Sequence, residues 1–72
     1  MRKTDEQLQQ DVIDELAAEG NLDASTIGVA VRDGMVELVG SVPSIAEKHV
    51  AERAVRRVGD VLGIIDKLVT RE

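Results

Sequence analysis

Ile27-Gly28-Val29-Ala30-Val31-Arg32-Asp33-Gly34-Met35-Val36-Glu37-Leu38-Val39-Gly40-Ser41-Val42 is the stretch on which the fold turns. Aliphatic residues alternate with small or polar ones on both sides of Asp33-Gly34, which is the period of a half-buried strand. Asp-Gly favours a two-residue type I′ turn because both central residues need positive φ. The stretch therefore reads as a β-hairpin whose register the turn fixes. Counting outward, Arg32 opposes Met35, Val31 opposes Val36, Val29 opposes Leu38 and Ile27 opposes Gly40. The large aliphatics then share one face, except Met35 and Val39, which fall on the other. Gly40 on the aliphatic face reads as a place where a helix or side chain needs close access to the sheet.

Working outward, Thr4-Asp5-Glu6-Gln7 has the spacing of a capping box, so a helix begins there. Leu8, Val12 and Leu16 recur at four-residue steps with Ile13 on the same side, giving one apolar stripe over residues 5–18, with Asp11 and Asp14 toward water. Gly20 follows as a stop that positive φ would close. Beyond the hairpin, Pro43 ends the strand and Ser44-Ile45-Ala46-Glu47 reads as a second capping box. The helix it opens runs to about residue 58, with Val50, Ala51, Ala54, Val55 and Val58 inward and Gly59 as its stop. Residues 64–70 read as a third strand, with Ile64, Asp66, Leu68 and Thr70 on one side and Ile65, Lys67 and Val69 on the other.

The predicted order is α-β-β-α-β: an α+β sandwich with two helices on one face of a three-stranded mixed sheet. A right-handed β-α-β crossover sets the last strand parallel to residues 35–42. The first hairpin strand is expected in the centre.

Seventy-two residues make one small domain, expected to span 1–72 with its core at 7–70. Phe, Tyr, Trp and Cys are all absent, which excludes disulfides, zinc-thiolate sites, cysteine catalysis and aromatic base-stacking platforms. A net charge of −5 argues against general affinity for nucleic acid. The charge is lopsided: residues 1–40 carry a net −6 and residues 41–72 a net +1. No apolar run approaches the ~20 residues of a membrane span, and the amino terminus lacks the apolar segment of a secretory signal. As given, the chain reads as soluble and cytoplasmic; as a piece of an exported protein, it reads as periplasmic or envelope-associated.

Val29-x-Val31-x-Asp33-Gly34-x-Val36-x-Leu38-x-Gly40-x-Val42, a helix bearing Ala51 and Ala54, then Val58, Val61, Ile64 and Leu68 form a recognisable pattern. With the preceding amphipathic helix it resembles the BON domain, a small module of bacterial envelope, osmotic-stress and transport-associated proteins. The likeness runs from about Gln7 to Thr70. Two departures stand out. The family commonly has Gly-Val after the second helix where this chain reads Gly59-Asp60-Val61, and Asp66 lies where an Asn is frequent. The resemblance implies a non-enzymatic binding module that contacts phospholipid or another envelope component. Such modules are often paired or fused to other domains; one copy is present here.

No spacing of residues points to catalysis, a cofactor or a metal. His49 points away from the stripe of the second helix, and Asp33-Gly34 lacks the further oxygen ligands of a calcium loop. Gly59-x-x-x-Gly63 follows a helix and precedes a strand, the reverse of a phosphate loop. Two surfaces remain. Lys48, Arg53, Arg56 and Arg57 give residues 44–58 a net +2, a candidate contact for phospholipid headgroups or an acidic partner. Lys48, Glu52 and Arg56 also read as a solvated i, i+4 ladder. On the sheet face away from the helices, Met35, Val39, Ile65 and Val69 form a candidate surface for a protein partner or homo-oligomer. Half-exposed β-branched residues are also ordinary in strands.

Overall fold

In the computed structural model, residues 3–71 are described; Met1, Arg2 and Glu72, the ends of the expected domain, lie outside the described residues. Helix α1 spans Asp5–Ala18, and its capping box forms as the spacing predicts. The Thr4 hydroxyl accepts from the Gln7 N–H, and the Gln7 side chain accepts from the Thr4 N–H. Leu8, Val12 and Leu16 are buried, whereas Ile13, at the edge of that stripe, stays 39% exposed. Glu19 turns extended at ψ 113 and ends the helix. Gly20 is not among the residues with positive φ, so α1 stops without the left-handed closure expected of it.

A short 3-10 turn, Ala24–Thr26, capped by the Asp23 carboxylate, leads into β1 (Ile27–Arg32). Strand β2 (Met35–Val42) follows with the expected antiparallel register, Arg32 opposite Met35 through Ile27 opposite Gly40. Asp33 and Gly34 take φ of 52° and 82°, as a type I′ turn demands. Gly40 is needed for a different reason from the one expected. Its φ is +124°, and a Cβ there would stand 2.0 Å from the Thr26 carbonyl oxygen, so the close neighbour is the chain's own backbone and not a helix or side chain.

Helix α2 spans Ile45–Arg56, shorter than expected by two residues. Its second capping box does not form. The Ser44 hydroxyl donates to the Glu47 carboxylate instead of accepting from a backbone N–H, and that bond holds the Glu47 pKa below its ordinary value. The residue in the left-handed region after α2 is Asp60, at φ 70°, and not Gly59. The shift of one place in the Gly-Val pattern thus leaves an aspartate where the backbone favours glycine.

Strand β3 (Gly63–Thr70) pairs in parallel with β2, Met35 opposite Gly63 through Val42 opposite Thr70. The sheet order is β1-β2-β3, so the second hairpin strand is central and the expectation that the first would be is overturned. The reason lies in helix placement. Helix α1 lies over β1, so α2 and the strand it delivers take the free edge of β2. Central position matches burial: Val36, Leu38 and Val42 are buried, whereas Ile27, Val29 and Val31 of β1 are only half-buried. Both helices pack on one face, where Leu8, Val12 and Leu16 meet Val36, Leu38, Ala51, Ala54, Val55 and Leu68 in a single aliphatic core.

Candidate binding surfaces

The outward side of α2 begins with Ile45, 61% exposed, and continues through His49, Arg53 and Arg56. Ala46, His49, Val50, Glu52, Arg53 and Arg56 line a shallow depression there, so one carboxylate stands among the cations. Among the described residues Lys48, Arg53 and Arg56 make no ion pair, and Arg53 and Arg56 are exposed. The four cations predicted as one group are not brought together. Lys48 is half-buried on one shoulder of the helix. Arg57 turns toward α1, where its guanidinium is 3.4 Å from Glu15 and is also bonded to Glu19. The bond to Glu19 is the main cause that raises the Arg57 pKa above its ordinary value. Arg57 therefore joins the two helices, and the free cationic pair is Arg53 and Arg56. Ile45 sits at the helix start, where the sequence pattern reads as a cap; its helical angle, on the side of His49 one turn later, is the signal that marks it.

The opposite face of the sheet carries no helix. Met35, Val39, Ile65 and Val69 all lie on it, from 37% to 61% exposed, and they are four of the seven large hydrophobic residues exposed among those described. On β1 this face is flat over Gly28 and Ala30 and carries Arg32 at the hairpin end. Lys67 and Glu37 pair across its middle at 2.8 Å. A depression lined by Ala30, Arg32, Met35, Glu37 and Ile65 opens beside the hairpin end.

Both edges of the sheet are blunted by side chains. On β1 the outward carbonyl of Val29 accepts from the Gln9 amide of α1 at 3.0 Å. On β3 the Leu68 N–H donates to the Asp66 carboxylate at 2.8 Å. Such plugs discourage strand addition at an edge.

Asp66 also marks a local conflict. Its other oxygen, Oδ2, is buried with no hydrogen-bond partner. The Glu52 carboxyl stands against it from α2, and this contact with Asp66 is the main cause that raises the Glu52 pKa. Among the described residues no group of three or more His, Cys, Asp or Glu side chains is placed to hold a metal ion, and no helix is long and apolar enough to cross a membrane. Asp5 has a role that its sequence position did not reveal. Its carboxylate accepts from the N–H groups of Asp33, at 2.9 Å, and Gly34, at 3.3 Å, fastening the start of α1 to the hairpin turn.

No curated protein matches this chain. The family profile described as BON domain matches it over residues 4–72, nearly its whole length and every element described above. With that match spanning both helices and all three strands, the chain belongs to the BON domain family, a family of binding modules.

Proposed function

We propose that this BON domain attaches to anionic phospholipid through the outward side of α2. The observation that carries the reading is the pair Arg53 and Arg56, exposed and without ion pairs among the described residues, on the same side of α2 as exposed Ile45 about two to three turns earlier. Arginine suits phosphate groups because its planar fork donates two parallel hydrogen bonds. An apolar side chain next to a cationic cluster is the arrangement by which a helix seats at a headgroup boundary. Each cation near an anionic surface contributes about 1 kcal/mol, so two arginines and a half-buried Lys48 make a weak contact in one domain. Attachment of this strength becomes firm when several such modules are linked, because the later contacts are intramolecular.

Co-sedimentation with vesicles tests this reading. Vesicles containing phosphatidylglycerol should carry the protein down at low salt, whereas neutral phosphatidylcholine vesicles should not. Binding should fall with rising salt and be lost in R53E/R56E. R57E should bind nearly as well as the original chain, because Arg57 faces α1. Absence of binding to the anionic vesicles at low salt would refute the proposal.

A second reading is favoured by the four exposed aliphatic side chains on the open sheet face, two on each side of the Glu37–Lys67 pair, a surface of the kind that contacts protein.

A further inference from the structure

We infer that the open face of the sheet binds a second copy of this chain, packed face to face with strands antiparallel. The inference deepens the second reading above and is independent of phospholipid attachment. The centre of the face is self-complementary in charge. Along its length, Met35 and Ile65 occupy the hairpin end, Val39 and Val69 the other, and the Glu37–Lys67 pair lies between them. A two-fold axis lying across the strands between the Glu37 and Val39 rows brings the hairpin end of one copy over the far end of the other. Val69 then meets Gly63 of the second copy, which offers no side chain of its own. Glu37 of one copy comes beside Lys67 of the other, and the reciprocal contact follows by symmetry. On β1, Gly28 of one copy faces Ala30 of the other, and Arg32, on the same face at the hairpin end, reaches past the far end of its partner's β1.

Other routes to association are less open. Gln9 and Asp66 plug the two sheet edges, which leaves the face as the uncovered part of the sheet. Two strands of eight residues and one of six cover at most about 14 by 26 Å, so the contact lies below the roughly 1,200 Å² of total buried surface that stable complexes begin with. The dimer is accordingly weak and concentration-dependent. Burying two Glu37–Lys67 pairs costs affinity but fixes the register, since a slipped copy would set like charges together. The helices point away from this contact, so α2 stays free in the dimer.

Sedimentation velocity from about 20 µM to about 1 mM tests the inference over the range where a small interface associates. The average mass should rise from the protomer value of 7.8 kDa toward twice that. V39K should remain at the protomer mass throughout, with unchanged far-ultraviolet circular dichroism and unchanged vesicle binding. E37K and K67E, each alone, should also stay monomeric, because the two positions that meet across the two-fold then carry the same sign. Their equimolar mixture should regain the doubled mass, which a surface built for a different protein would not do. A wild-type chain that stays at protomer mass near 1 mM, or a mixture that does not associate, overturns the inference.

Discussion

Replacing Asp66 by Asn should stabilise the domain at neutral pH. Asp66 Oδ1 accepts from the Leu68 N–H and Oδ2 is buried without a partner, facing the Glu52 carboxyl. An asparagine retains the oxygen that serves Leu68 and turns its NH₂ toward Glu52, so a repulsive pair becomes a hydrogen bond. An unsatisfied buried polar atom costs about 1–3 kcal/mol, and the half-exposed setting of this pair places the gain near the lower limit, about 1 kcal/mol. For a domain of this size, that is a rise of roughly 4–8 °C in Tm. Far-ultraviolet circular dichroism is the assay of choice, since the chain has no Trp or Tyr to fluoresce.

The pH dependence supplies an internal control for the same substitution. In the unfolded chain Glu52 titrates at its ordinary value of 4.5, and in the fold its pKa is raised. Between those two values the folded state holds the extra proton, so this group's contribution to stability increases as pH falls. It is fully present below the ordinary value and is lost as pH rises through the raised one. The advantage of D66N should therefore be largest at neutral pH and shrink in acid. E52Q should give a similar gain, and E52Q/D66N no more than either alone, because both relieve one contact. A D66N protein no more stable than the original at neutral pH, or gains that add fully in the double variant, would refute this reasoning.

Three further substitutions probe the backbone and the helix-to-turn contact. D60G should stabilise by about 1 kcal/mol in the same melts, because glycine removes the strain of a left-handed φ, and any net loss would show that the Asp60 contact with the Lys3 N–H matters more. G40A should cost at least about 3 kcal/mol or prevent folding, since its Cβ would stand 2.0 Å from the Thr26 carbonyl oxygen; a stable G40A with native hydrogen-exchange protection would contradict this placement. D5A should cost about 1–2 kcal/mol and speed amide exchange at Asp33 and Gly34, whose N–H groups it strips of their acceptor, while leaving the centre of β2 protected.

Local chemistry makes much of this fold legible in the sequence. The Asp33-Gly34 turn sets the register of β1 and β2, so alternation alone assigned Met35 and Val39 to the open face and Val36 and Leu38 to the core. The Thr4-Gln7 box was equally direct. The order of strands was not, because connection rules permit β3 on either side of the hairpin. The choice was made by where α1 lies, a tertiary fact. The Ser44-Glu47 motif failed for a chemical reason: a hydroxyl beside a carboxylate donates to it and is no longer oriented to cap a helix. Among the cations, helical angle separated Arg53 and Arg56 from the inward stripe, but only packing revealed that Arg57 is held by Glu15 and Glu19 across the helix pair. The two departures from the family pattern were visible as letters. Their cost, an aspartate at φ 70° and an orphaned carboxylate oxygen, is a property of the folded backbone.

The one-sided sheet is the claim on which both binding surfaces depend, and solvent relaxation of methyl groups tests it most directly. With a soluble paramagnetic agent and the protein dilute enough to be monomeric, the methyl signals of Met35, Val39, Ile65 and Val69 should broaden strongly, while those of Val36, Leu38 and Leu68 should be spared. Equal broadening of the two sets, or protection of the first set in the dilute monomer, would contradict a sheet covered by helices on one face and bare on the other.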